Sequence, residues 1–246
     1  MNKFKYSRIG TSSLIHNSPF PVTTIDKIIP YLKVEGKGTV IDIGAGKGHF
    51  TEKIVTAKGF QGVVVEIDNY LTQGIDSKQI TVVNEDAAKY LLRLDVHTFE
   101  CSICFGSAHI FGGFYNTISE LNRITKENGF IIVSELTWKS QPTTEFLGKL
   151  GISTDVYNPD IKNRKICADL DFDIVYTEKV EKRDWDIFEE TFLQNILQYC
   201  HNNTEDKDID WLKTRAAFWK DLYDTEVTKY LDCNLYVLRK RTPNKV

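Results

Sequence analysis

The sequence lacks an apolar run of membrane-spanning length, a low-complexity stretch and an internal repeat. A helix needs about 20 consecutive apolar residues to cross a bilayer, so no helical membrane span is expected. The first residues, Met1-Asn-Lys-Phe-Lys-Tyr-Ser-Arg8, have no apolar core of a secretory leader, and the expected location is cytoplasmic. An excess of positive charge is also missing. The 31 Lys and Arg stand against 34 Asp and Glu, a formal net charge of −3, which argues against a polyanion-binding groove and hence against a nucleic-acid partner. The short basic stretch Arg239-Lys240-Arg241 reads as a solvated strand end.

Cysteine is present without a framework. Five occur, an odd number with no paired spacing, which fits a reducing compartment. Cys101 and Cys104 form a C-x-x-C inside the apolar run Phe99–Phe105. Positions three apart on a strand point to opposite faces, and no second Cys/His pair follows at ligand spacing. These are therefore expected to be buried thiols, and no metal site is read anywhere.

What is present is ordinary globular composition, 41% hydrophobic and 26% charged. Short apolar runs at Thr39–Ile43, Gly62–Ile67, Ile80–Val83, Glu100–Phe105 and Phe130–Ser134 read as strands buried on both faces. Helical stretches alternate with them: Thr24–Leu32, Phe50–Ala57, Asp86–Leu94 and Tyr115–Thr125, the last stopped by Lys126-Glu-Asn-Gly129. This alternation predicts an α/β fold, a doubly wound parallel sheet. The last third differs, with a strand at Phe172–Val180, two long helices at about Trp185–His201 and Ile209–Tyr230, and a closing strand at Leu235–Arg239.

The most informative segment is Val40-Ile-Asp42-Ile-Gly44-Ala45-Gly46-Lys-Gly48-His49. A strand runs through three alternate glycines into a helix. Glycine lets the chain turn sharply and approach a ligand closely, and the helix N-terminus offers N–H groups to an anion. The spacing is not the G-x-G-x-x-G of dinucleotide folds. Asp42 would repel a pyrophosphate but suits a cationic amino group. S-adenosyl-L-methionine (SAM) carries an ammonium, a carboxylate and a sulfonium, and no phosphate. Glu66, with Ile67 beside it, lies where an acid at the end of a second strand accepts bonds from ribose hydroxyls, and is preferred to Asp68. Asp86-Ala87 after the third strand suits an adenine edge, and Asp86 also reads as a helix N-cap.

Asp42-x-Gly44-x-Gly46-x-Gly48, Glu66 and Asp86-Ala87 together resemble the fingerprint of class I SAM-dependent methyltransferases. Phe105-Gly-Ser-Ala-His-Ile-Phe-Gly-Gly113 and Leu121–Glu135 resemble the corresponding loop and helix–turn–strand of a small-molecule (type 11/25-like) branch. The resemblance implies a Rossmann-like seven-stranded sheet whose last strand is antiparallel, as one domain over residues 1–246. It implies SAM as cofactor, with S-adenosyl-L-homocysteine (SAH) as product. Gly44, Ala45, Gly46 and Gly48 would pack on the methionine part and Asp42 would hold its ammonium. Glu66 would take the ribose, Asp86 and Ala87 the adenine, and Phe105 and Gly106 the sulfonium side. Segments 139–171 and 184–230 are expected to form a lid, and the N-terminal segment through His16 and Phe20 a second cover.

The acceptor is less legible. Methyl transfer needs alignment and exclusion of water more than a triad. His109 is the first candidate for a base or an acceptor contact, with a packing role equally open. Glu135 reads as orienting an amine or capping a turn, while Tyr115 and Trp138 are candidate pocket walls. The fourth strand is followed by neither an [ND]-P-P-[FY] nor a Pro-Cys motif, so the expected partner is a small molecule, taken up by a monomer or homodimer. The alternatives are a non-catalytic SAM-binding protein and an NAD-dependent oxidoreductase.

Overall fold

Seven strands form one sheet: β1 (Thr39–Ile43), β2 (Gln61–Val65), β3 (Ile80–Val83), β4 (Phe99–Phe105), β5 (Thr125–Trp138), β6 (Phe172–Lys179) and β7 (Leu231–Lys240). Their order in this computed structural model, which describes residues 4–34 and 36–242, is β3-β2-β1-β4-β5-β7-β6. Strands β1 to β5 run parallel, and β7 lies antiparallel between β5 and β6. This is the doubly wound sheet with an inverted last strand that the sequence predicts.

Alternation along each strand divides the interior in two. Val40, Cys101, Ile103 and Ile132 join one core, with Ile25 and Ile28 of α2 (Thr24–Ile28) and Phe50 and Ile54 of α3 (His49–Lys58), while α1 (Lys5–Gly10) lies apart from it. Ile41, Ile43, Cys104, Ile131 and Val133 join the other, with Leu91 of α4 (Ala87–Leu91) and Ile118 and Leu121 of α5 (Phe114–Ile124). Cys101 and Cys104 therefore point to opposite faces as free, buried thiols. Each fully buried Ile or Leu contributes roughly 1.5–3 kcal/mol of burial, so the two faces carry most of the stability.

Several boundaries move from their expected places. Pro30 turns the end of α2 into a short 3₁₀ segment, Ile29–Tyr31. The stretch Lys126-Glu-Asn-Gly129 does not follow α5 as a loop; it lies inside β5. Phe99 pairs with Thr125 and Cys101 with Phe130, so four residues bulge opposite Glu100. Asn128 takes a left-handed φ of 60° there. β5 is longer than Phe130–Ser134 because β7 pairs with it out to Trp138↔Leu231.

α6 (Thr144–Leu150) and α7 (Asp160–Asp169) follow β5, and α8 (Lys182–Asn202) and α9 (Ile209–Leu222) connect β6 to β7. The segment 139–171, expected as lid, divides. α7 packs its Cys167 into the sheet core beside Phe172 and Tyr236, as a crossover helix does, while Val156 and Tyr157 face a cavity. α9 does not run to Tyr230 as one helix. A π turn at Tyr223–Val227 follows it, then a last helical turn, Thr228–Tyr230. A third, smaller core joins Ile9 of α1 to Ile196 and Cys200 of α8 and Leu212 and Ala216 of α9. Gly10 permits that contact, since a Cβ there would lie 2.1 Å from the Phe192 ring. Among the described residues no helix is long and apolar enough to cross a membrane.

Candidate functional site

The strand order reverses between β2 and β4 on either side of β1, which opens a crevice at the C-terminal ends of these strands. The glycine loop fills its floor. Gly44, Gly46 and Gly48 have φ of 65°, 56° and 73°, a region costly for residues with a Cβ. Gly44 and Gly48 are also hemmed in, because added Cβ atoms would meet Ser107 Oγ at 2.5 Å and Ile75 Cδ1 at 2.7 Å. Gly46 differs: its Cβ would meet nothing nearer than Asn17 Nδ2 at 3.9 Å. The loop is pinned to β2 by Gly44 and Ala45 N–H groups donating to Val65 O at 2.9 and 3.3 Å.

Asp42 is buried under this loop, accepting a hydrogen bond from Thr51 Oγ1 at 3.0 Å. Burial pushes its carboxyl up to about 7, with the nearby Glu66 adding to the rise. Glu66 directly follows β2. Its Oε2 accepts from Gly46 N at 2.9 Å and its Oε1 from Asp68 N at 2.9 Å, so one carboxylate ties the loop to the strand end. Asn84 Nδ2 donates to Glu66 O at 3.1 Å and braces the same corner from beyond β3. Ile67 is about half exposed beside it. Asp68 is committed elsewhere, paired with the Arg8 guanidinium of α1. Asp86 caps α4 by accepting from Lys89 N at 3.0 Å, with Ala87 buried next to it.

A strap from the N-terminus crosses the crevice. Lys47 Nζ, in the glycine loop, donates to the carbonyls of Thr11 at 3.0 Å, Ser12 at 3.1 Å and Leu14. His16 stacks on His49 at 5.6 Å and meets Phe50 edge-on. Neither of its ring nitrogens has a hydrogen-bond partner among the described residues, and burial, with His49 adding, pulls its pKa down to about 4. Phe20 and Phe50 both pack on Phe105, at 5.3 and 4.2 Å between ring centroids. The sequence pointed to His16 and Phe20, but gave no sign of Lys47 or Arg8 as the anchors. Their partners are backbone carbonyls and an acid 60 residues away, which leave no local pattern.

Beyond Gly106 the crevice opens into a cavity of about 420 Å³. Its walls come from the strap (Asn17–Pro19), the loop after β4 (Gly106, His109, Gly113), the end of β5 (Ser134–Leu136), Tyr157, and the helices α8 and α9 (Trp185, Phe188, Glu189, Trp219). Of the acceptor-side residues named from sequence, His109 and Glu135 line it. Tyr115 does not, being exposed on α5. Trp138 is buried further along β5, its Nε1 donating to Thr154 O at 2.8 Å, outside this cavity. Glu135 Oε1 accepts from Leu136 N at 2.9 Å, and burial pushes its carboxyl up to about 7. Glu189 was not anticipated. It is buried on α8, accepting from Trp185 Nε1 at 3.1 Å and Trp219 Nε1 at 2.6 Å. Trp185 and Glu189 stand four apart on one helix face, a signal that helical core packing produces equally well. Among the described residues no cluster of His, Cys, Asp and Glu is placed to hold a metal.

The architecture recurs in solved structures. A SAM-dependent methyltransferase from Geobacter sulfurreducens in complex with SAH superimposes with a TM-score of 0.87, at 19% identity, over 96% of this chain and 98% of that one. One from Thiobacillus denitrificans, also with SAH, has a TM-score of 0.85 at 21% identity, over 98% and 100%. YjhP from E. coli gives 0.85 at 19% identity, over 96% and 100%. Among curated proteins, an rRNA adenine N-6-methyltransferase of Lysinibacillus sphaericus is 34% identical over 71 residues, 27% of this chain and 29% of that protein. The family described as ribosomal RNA adenine dimethylase matches residues 18–150, the strands and loops that build the glycine-loop crevice and stop short of α7, α8 and α9. The fold is thus that of class I SAM-dependent methyltransferases, and by a match over more than half its length the chain belongs to the ribosomal RNA adenine dimethylase family.

Proposed function

We propose that this protein transfers a methyl group from SAM to a small molecule held in the cavity beside the glycine loop. The observation that carries the reading is that the glycine loop and the chamber adjoin at the strap. Gly46 is open, with Asn17 Nδ2 its nearest neighbour at 3.9 Å, and Asn17 and Gly106 both line the mostly apolar chamber. The residues present fit the cofactor. Asp42 is a buried acid with no cation beside it among the described residues, suited to an ammonium. Gly44, Ala45, Gly46 and Gly48 let the methionine part lie against backbone. Glu66 takes the ribose, Asp86 and Ala87 the adenine edge with Ile67 against the ring, and Phe105 and Gly106 border the sulfonium.

SAM supplies an electrophilic methyl group on its sulfonium. The protein supplies alignment and dryness: the strap and the helices α8 and α9, with Val156 and Tyr157, act as a lid that excludes water from the transfer. His109, at the mouth between loop and chamber, contacts the acceptor. No step requires a metal ligand set or a triad.

A second reading, methylation of an adenine amino group in ribosomal RNA, is favoured by the family match and by the Lysinibacillus sphaericus relative. Against it stand the net charge of −3 and the sequence Phe105-Gly106-Ser107-Ala108 after β4. The cavity is also lined by acids and aromatic side chains, with no Lys or Arg among the described residues, where a polynucleotide needs basic contacts to phosphate. Calorimetry with SAM, SAH and NAD, followed by label transfer from methyl-labelled SAM into ribosomal RNA or into a pool of small metabolites, tests both. Binding of SAM and SAH with label in the small-molecule fraction is expected. Label in RNA alone establishes the second reading. Binding of NAD without SAM removes both, and SAM binding without turnover on any acceptor leaves a cofactor-binding protein only.

A further inference from the structure

The chamber has an unusual balance of groups. Two carboxyls, Glu135 of β5 and Glu189 of α8, line it, and among the described residues no Lys or Arg does. Glu189 is held in place by two indole N–H groups, which also fix the Trp185 and Trp219 ring planes around the space. Tyr157 and Phe188 complete an aromatic wall. Glu135 receives one backbone N–H and has no cationic partner among the described residues. Beside it the Ser134 hydroxyl is 1% exposed and has no hydrogen-bond partner among the described residues, although it borders the same chamber.

Burying carboxyls without a counter-charge is costly, and a buried hydroxyl is normally paired. Those costs fall away if the chamber's occupant brings a positive charge and hydrogen-bond donors. Aromatic faces attract cations in the same way. A carboxylate or phosphate ligand would instead meet two acids, and a plain hydrocarbon would use none of the polar groups.

From this arrangement we infer that the acceptor is a small amine, cationic in solution, bound between Glu135 and Glu189 within the aromatic wall and methylated on nitrogen. The inference rests on the chamber being the acceptor site of the proposed methyltransferase. The ammonium first gives a proton to the Glu135 carboxylate. The freed lone pair then forms the N–C bond as the C–S bond of SAM breaks, its electron pair remaining on sulfur to leave SAH. The burial that pushes Glu135 up to about 7 suits it to take that proton. Glu189, which burial pushes up and its two indole bonds pull back down, holds the ammonium end of the acceptor and acts as a positioning residue.

The test uses the full chain saturated with SAH. Three matched pairs are titrated: phenethylamine against 3-phenylpropionate, tryptamine against indole-3-propionate, and 1,5-diaminopentane against glutarate. At least one amine is expected to bind tenfold or more tightly than its carboxylate partner. In E135Q/E189Q, whose amides keep the Leu136 bond and one of the two indole bonds, that preference should shrink to less than twofold while SAH affinity stays the same. No amine preference in any pair, or a preference that survives in E135Q/E189Q, overturns the inference. SAH binding in the same titrations separates the two levels: retained without amine preference, it leaves the proposed function standing; absent, it removes the proposed function itself.

Discussion

The crevice over β1–β3 and the chamber under α8 and α9 are adjacent, yet they are built by different means. The crevice is backbone chemistry: three left-handed glycines, strand-end carbonyls and one acid, Glu66, clamping the loop. Its tolerance is narrow, because an added Cβ at Gly44 or Gly48 collides with neighbours. The chamber is side-chain chemistry, made of aromatic rings from helices that share a separate small core with α1. The family match covers the first and stops short of α7, α8 and α9 of the second. A backbone cradle suits one constant ligand, and a wall of side chains is free to change its acceptor without disturbing the cradle.

Variants should separate the two regions. The largest effect is expected for Gly46→Arg, which places a long side chain in the one open position of the loop. SAH affinity should fall at least about 100-fold, roughly 3 kcal/mol, with the chain still folded by circular dichroism; calorimetry showing unchanged affinity would remove the loop from the cofactor site. Next is Trp219→Ala, which deletes a chamber wall and one partner of Glu189. Methyl transfer should drop about tenfold or more, about 1.4 kcal/mol, while the SAH Kd moves less than threefold. A parallel loss of SAH binding would mean that the regions are not separable.

Arg8→Ala probes the joint between them. It leaves Asp68, only 3% exposed, without its guanidinium, and should loosen the strap. SAH is expected to dissociate several-fold faster in stopped-flow, with a small loss in Tm. His109→Ala should reduce turnover several-fold at unchanged SAH affinity, and equal turnover would assign His109 to packing.

The smallest effect is on stability against pH. Asp42 and Glu135, both raised to about 7 by burial, favour the folded state while protonated. Their contribution is present at acid pH and is lost as pH rises toward about 7. His16, lowered to about 4, acts in the opposite sense, losing its contribution as pH falls through its ordinary range toward 4. Burial raises Glu189 as well, and three carboxyls against one imidazole leave a net fall in ligand-free Tm as pH rises from about 4.5 to about 7. In D42N/E135Q that slope should flatten, and an unchanged slope in thermal melts would show that these groups do not set it.

The sequence was legible where chemistry is local. Asp42, the three glycines and Glu66 lie within 25 residues of chain, and each needs only its neighbours to be recognised. The seven strands and their helices were legible for a related reason, since burial on both faces writes itself as short apolar runs. Of the boundaries that moved, the one at Pro30 is local, while 126–129 is drawn into β5 by its partner strand β4.

By itself, then, the sequence determined the sheet, the cradle and the class of cofactor that suits it, because period-2 burial and glycine turns are short-range constraints. Only the tertiary structure decided which side chains share the chamber. It brought Glu189 and Trp219, more than 50 residues downstream, into one chamber with Glu135, and left Tyr115 and Trp138 outside. It also turned α7 onto the sheet face rather than over the site. Helical aromatic and acidic residues look alike in sequence whether they face a core, solvent or a ligand, and only packing assigns the face.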